Sequence, residues 1–182
     1  MDAGSAVGRS AAAWWGAPFA EPSDPVVVIV APDTAWCGPR GVRVHRTELL
    51  AADTVLLDGV RVTDPVRTAW DVATLESLAD AVACLDGMAR AGHLHSSHLQ
   101  GLLSSTTGRW RGRRAARALA LVDGRAASPP ESWVRVACHR AELPAPVPQF
   151  VVEADGVWLA QVDLGAVVAR IRTALDAPAV AG

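Results

Sequence analysis

Hydrophobic and polar positions follow one rhythm up to about residue 63 and another beyond it. Val26 to Val30 is an unbroken β-branched run, the pattern of a buried strand. In Val42-Arg43-Val44-His45-Arg46 apolar and polar residues alternate, so Val42 and Val44 share one face and Arg43 and His45 the other. Thr54 to Leu57, then Asp58-Gly59, then Val60 to Thr63 predict a hairpin with a two-residue turn. Ahead of these, Ser10 to Trp15 predicts a short helix closed by Gly16-Ala17-Pro18. The small and polar residues 1–9 predict a disordered start. From Asp64 the apolar spacing becomes three and four. Asp64 as cap and Pro65 in the first turn open a helix that runs to Leu75. Ser77 to Ala91 predicts a second helix, with Leu78, Val82, Leu85 and Ala89 on one face and Gly92 ending it. His95 to Leu103 and Trp110 to Val122 predict a third and a fourth.

The stretch from Ser128 to Leu164 reads as helix, proline-rich turn, strand, tight turn, strand. Ser128 is placed as an N-cap, Pro129 fits the first helical position, and Glu131 completes a capping box three residues after the cap. Glu131 also stands one turn before Arg135, the spacing of an ion pair. Leu143 to Pro148, with three prolines, stops the helix. Gln149 to Glu153 and Val157 to Leu164 are β-rich runs joined by Ala154-Asp155-Gly156. The pattern as a whole predicts an α+β chain. It comprises a β and hairpin segment at 10–63, a helical segment at 64–125, a helix–hairpin module at 126–164 and a divergent tail at 165–182. In that tail Val167 to Arg172 permits a strand, whereas Val167, Val168, Ile171 and Leu175 are spaced for a helix.

Composition alters this picture in one place. With 182 residues, 51% hydrophobic and 20% charged, the chain can bury a core. A net charge of -2 says little, but its distribution says more. Between Arg109 and Arg125 six arginines face one acid, Asp123. Arg109, Arg111, Arg113, Arg114 and Arg117 lie on or just before a predicted helix, interrupted by Trp110. Arg113 and Arg117 are one turn apart, so a stripe that tracks phosphates is available. There is no Lys; all 17 basic residues are Arg. Cys37, Cys84 and Cys138 are widely spaced and lack a CxxC pattern, as expected of reduced thiols in a cytoplasmic protein. No apolar run approaches the roughly 18 residues of a membrane span, and no signal-peptide pattern opens the chain. His95 and His98 sit at i,i+3 near His93, but no Cys or acid lies close by to complete a zinc site, so they read as helix-end polar residues. Asp64 and Asp71 read as a cap and its neighbour two turns on. No G-x-S-x-G, P-loop or G-x-G-x-x-G is present, so acyl transfer, NTP hydrolysis and dinucleotide binding lack support.

Several phrases resemble known families. Ser128-Pro-Pro-Glu-Ser132 opening a helix, Ala141-Glu-Leu-Pro-Ala-Pro-Val-Pro-Gln149 leading to a strand, Asp155-Gly156 and Val162-Asp-Leu164 resemble endonucleases of the very-short-patch-repair type, which have the restriction-endonuclease-like fold. Glu142 stands where that family has Gly. The order SAAAWWG, VVVIVAP, VRVHR and DGVRVTDPVRTAWDVA resembles bacterial proteins related to AbiEi-type antitoxins. These join a winged-helix DNA reader, an α+β segment and a nuclease-like module. The resemblance implies a Mg²⁺-dependent phosphodiesterase with Asp163 as metal ligand and Glu131 as accessory acid. It also implies a second acid on the next strand in an E-x-D-G pattern, often with Lys. Counting from Asp163, Ala174 falls at the first acid, Asp176 at the second and Ala177 at the Gly. The expectation is therefore a chain abbreviated at both ends, with the winged helix upstream of residue 8 and the acidic strand at the back both missing. Three functions follow as expectations: a DNA-associated protein with an inactive endonuclease-like module, an active Mg²⁺ endonuclease using Asp163 and Asp176, or an antitoxin-like protein that binds a toxin. A homodimer through an uncovered sheet edge is also open.

Overall fold

The computed structural model describes residues 5–17, 23–144, 146–154 and 157–164, excluding the side chains of 150 and 152–164. It is a mixed α/β chain with a five-stranded sheet, six helices among the described residues, and a separate two-stranded hairpin. The sheet has the order β3-β2-β1-β5-β4, where β1 is Ser5–Ala6, β2 Val26–Val30, β3 Val42–Arg46, β4 Thr54–Leu57 and β5 Val60–Thr63. The β-branched run at 26–30 and the alternating run at 42–46 pair in parallel, Val28 opposite Val44. The Asp58-Gly59 turn closes the hairpin that the sequence predicts, Leu57 pairing with Val60. Both turn residues have positive φ, 48° and 77°, which is why Asp-Gly suits this turn.

The first residues depart from expectation. Ser5 and Ala6 form the middle strand, antiparallel to β2 and parallel to β5, and Val7 is fully buried. Their order comes from partners 22 residues or more away, such as Val28 and Val62, so no local pattern announces it.

The helices are α1 (Gly8–Trp14), α2 (Pro65–Leu75), α3 (Leu78–Arg90), α4 (Ser96–Ser104), α5 (Gly112–Leu119) and α6 (Pro129–Arg140). Asp64 caps α2 as predicted, its Oδ1 accepting from the N–H groups of Val66 at 2.7 Å and Arg67 at 2.9 Å. Every residue of α2 from Thr68 to Thr74 is buried, because α1, α3, α4 and α5 surround it. Val72, Val82, Leu85 and Met88 fill the main core, and the alanines at 69, 73, 81, 115 and 118 let the helices approach closely. The predicted helix at 110–122 is shorter, Gly112–Leu119, since Arg111 takes a left-handed conformation with φ 54° and begins a new turn. No helix among the described residues is long and apolar enough to cross a membrane.

Arg67 and Asp71 tie this helical body to the sheet. The Arg67 Nε donates to Asp71 Oδ1 at 3.1 Å and Oδ2 at 3.2 Å. Its Nη1 reaches Asp53 Oδ2 at 3.1 Å, just before β4. Burial pushes the Asp71 carboxyl up to about 6 despite the guanidinium beside it. The hairpin of β6 (Pro148–Ala154) and β7 (Val157–Leu164) stands apart as its own two-stranded sheet, with a register shift at Val152/Glu153. Residues 165–182, and with them Asp176 and the choice between strand and helix, lie outside the described residues. Arg67→Ala should destabilise the protein by about 3–5 kcal/mol, because it leaves a buried carboxylate without its partner. Urea denaturation at neutral pH measures this, and an unchanged midpoint would contradict it.

Candidate nucleic-acid interface

Local packing at the start of α5 orients its arginines. Gly112 sits against the turn after α4, where an added Cβ would lie 1.9 Å from the Thr106 carbonyl oxygen, so no larger residue fits. The buried face of α5 is Gly112, Ala115, Ala118 and Leu119, and it points Arg113, Arg114 and Arg117 outward. The five arginines of the predicted stripe separate into two groups. Arg109, in the preceding turn, lays its guanidinium 3.4 Å from the ring centre of Trp70. Arg111 donates to the Thr74 carbonyl at 2.9 Å, and Arg114 donates to the Glu76 carbonyl. Both satisfy carbonyls at the end of α2, which the helix itself leaves free. Arg113 and Arg117 remain exposed, and neither has an ion-pair partner among the described residues.

These side chains border a cleft of about 800 Å³. Arg113, Arg114 and Arg117 line one wall, Ser77 and Leu78 another, and His139 and Arg140 at the end of α6 a third. No carboxylate is among these lining residues. A cleft walled by one sign of charge focuses its field and favours a polyanion. The meeting of His139 and Arg140 with α5 needs the packing of α6 onto α3 and could not be read from spacing.

That packing depends on Asp86, an acid on the core side of α3, one turn after Val82. Asp86 is 1% exposed and accepts from Ser132 Oγ at 2.6 Å, Arg135 Nη1 at 2.7 Å and the Asp123 N–H at 2.7 Å. Arg135 also donates to the Leu121 carbonyl. The expected Glu131–Arg135 pair is therefore absent. Arg135 turns instead to a buried carboxylate with a greater need of a counter-charge. Burial pushes Asp86 up to about 6, even with three donors on it. The sequence did carry a signal here, a charged residue at a core-facing helical position.

Glu131 is buried, 4% exposed, and the predicted capping box takes a different form. The Ser128 hydroxyl donates to Glu131 Oε1 at 2.9 Å instead of capping the helix, and the Ala127 N–H donates to Oε2 at 3.3 Å. A charge-assisted bond to a carboxylate is stronger than a neutral cap, which accounts for the choice. A third donor is Gln149 Nε2 at 3.2 Å from Oε2. Gln149 has φ 53°, a conformation a side-chain-bearing residue rarely adopts. Residues at the two ends of the 128–149 phrase are thus in contact. Asp163 is on β7, enclosed with Gln149 between the pairs Pro148↔Leu164 and Phe150↔Val162. Its side chain lies outside the described residues.

The Mg²⁺ chemistry implied by the resemblance meets a Glu131 already engaged by three protein donors. Among the described residues no group of three His, Cys, Asp or Glu side chains converges as metal ligands. The side chain of Asp163, which the resemblance assigns to the metal, and the whole of Asp176 lie outside the described residues. His95 and His98 lie side by side at the start of α4, ring centres 5.3 Å apart, and His93 packs edge-on to Trp15.

No protein-family model matches the chain, and no curated protein or solved structure matches it.

The Asp86 carboxyl makes stability depend on pH with a definite sign. Its folded value near 6 exceeds an unfolded value of about 3.9, so the folded chain holds a proton between pH 4 and 6 that the unfolded chain has released. Its contribution therefore falls as pH rises through this window and is lowest above 6. Asp86→Asn, which cannot titrate, should show a smaller gain in stability from pH 7 to pH 5 than wild type, by on the order of 1 kcal/mol. Urea midpoints at the two pH values check this; equal gains would contradict it.

Proposed function

We propose that this chain is a cytoplasmic, DNA-associated protein that holds nucleic acid in the cleft between α5 and α6. In this reading the unit of α6, β6 and β7 is a degenerate endonuclease-like module. The observation that carries it is the set of exposed guanidinium groups at Arg113, Arg117 and Arg140, unneutralised by any carboxylate among the residues lining the cleft. Arginine suits this role because its planar fork matches phosphate oxygens and it stays charged at any working pH. Arg111 and Arg114 hold α5 against the end of α2, so the wall that presents Arg113 and Arg117 is fixed before a ligand arrives.

The endonuclease-like part of the proposal is supported by the contact between Glu131 and Gln149, which belong to the helix-opening and strand-opening phrases of the resemblance. It is supported further by the register that sets Asp163 beside Gln149. Glu131 in this chain fastens the hairpin to α6 instead of holding a metal. Loss of catalysis with retention of binding follows from that reassignment.

A mobility-shift assay with duplex DNA tests the binding. With three arginines contacting phosphates, affinity for duplex should fall about 40-fold between ~50 and ~200 mM salt. Arg113→Glu with Arg117→Glu should remove most of it. Absence of a shift at low salt with both duplex and single-stranded DNA would sink the proposal. Plasmid DNA with Mg²⁺ should stay intact; nicking that Asp163→Ala abolishes would show instead that the module is an active nuclease.

A further inference from the structure

Next to the basic cleft lies an aromatic surface that the phosphate contacts leave unused. Trp110, in the turn before α5, is 57% exposed, an unusual placement for the largest apolar side chain. Its ring is held in place. The Arg111 guanidinium lies 4.4 Å from the ring centre, and the His45 ring is tilted at 32° with centres 5.9 Å apart. His45 comes from β3, so Trp110 bridges the sheet and the helices.

Trp110 also connects to the cleft. Arg111, which contacts its ring, is bonded to Thr74. Arg114, one turn later, is bonded to Glu76, and Ser77 and Leu78 form the cleft wall. From Thr74 to Ser77 is three residues, at most about 10 Å. An exposed indole therefore stands three residues ahead of Arg113, which with Arg117 and Arg140 makes the cationic track of the cleft. A duplex buries the faces of its bases, and its phosphates alone would use this track. Unpaired bases present π-faces that stack on aromatic and guanidinium planes.

We propose that the nucleic acid taken by this protein is single-stranded, with an unpaired base stacked on Trp110 and the adjoining phosphates bound by the arginines of the cleft. This rests on the reading of the cleft as a nucleic-acid site, and it adds the substrate class. The pairing of an exposed ring with unneutralised arginines along one path is the observation behind it.

The test uses the full chain and fluorescence anisotropy of a labelled oligothymidylate, a duplex of equal length, and inorganic polyphosphate as a probe with no bases. Wild type should bind the single strand more tightly than the duplex or polyphosphate. Trp110→Ala should weaken binding to the single strand about tenfold and leave the other two unchanged, and Trp110→Phe should restore most of the loss. Because the ring is largely exposed, circular dichroism should show the variants folded. Arg113→Glu with Arg117→Glu should weaken all three probes. If the arginine variant loses binding while Trp110→Ala behaves as wild type toward the single strand, the stacking proposal is wrong and the cleft reading survives. If wild type binds none of the three at low salt, both fall.

Discussion

A single buried carboxylate fixes how the two halves of the helical body meet. Asp86 sits inside α3 with almost no exposure, and it collects a hydroxyl and a guanidinium from α6 and a backbone N–H from the segment between α5 and α6. An uncompensated charge there would be costly, so α6 can dock only in the one register that brings Ser132 and Arg135 to it. Hydrophobic contact alone would specify that register weakly, since α6 contributes a single buried residue, Val136, to the main core. The placement of His139 and Arg140 opposite α5, two turns beyond Ser132, is a downstream consequence. The basic cleft exists because a polar contact some distance from it chose the docking geometry.

A similar division of labour runs through the arginines. Arg67, Arg111, Arg114 and Arg135 are structural: each satisfies a buried acid or the free carbonyls of a helix end. Among the described residues Arg113, Arg117 and Arg140 have no such partner, and all three are exposed. In a chain without lysine one residue type must serve both purposes, so a count of positive charge overstates the interface.

Much of the fold was legible in the sequence where the cause is local. The Asp64-Pro65 helix start, the Asp58-Gly59 turn and the strands at 26–30 and 42–46 follow from capping, turn chemistry and periodicity, and the structure has them in those places. The central position of Ser5–Ala6 was not legible, because its stability comes from β2 and β5 and its own two residues carry no pattern. At the site, the Arg113 and Arg117 face was visible as a helical spacing, while the wall from His139 and Arg140 depended on tertiary packing. The Glu131 region shows a further limit. The capping-box spacing was present, yet the Ser128 hydroxyl went to the stronger acceptor, and Arg135 was drawn away by an acid 49 residues earlier.

The short middle strand also bears on how the chain assembles. Ser5–Ala6 leaves the ribosome ahead of both its neighbours in the sheet, which are not both present until Val62 has been made. The sheet therefore closes around this segment late, whereas α2 and α3 can pack on each other as soon as both exist. Until that closure, β2 and β5 each present a bare row of backbone donors and acceptors where β1 belongs. A newly made chain is most exposed to mispairing with other chains during that interval.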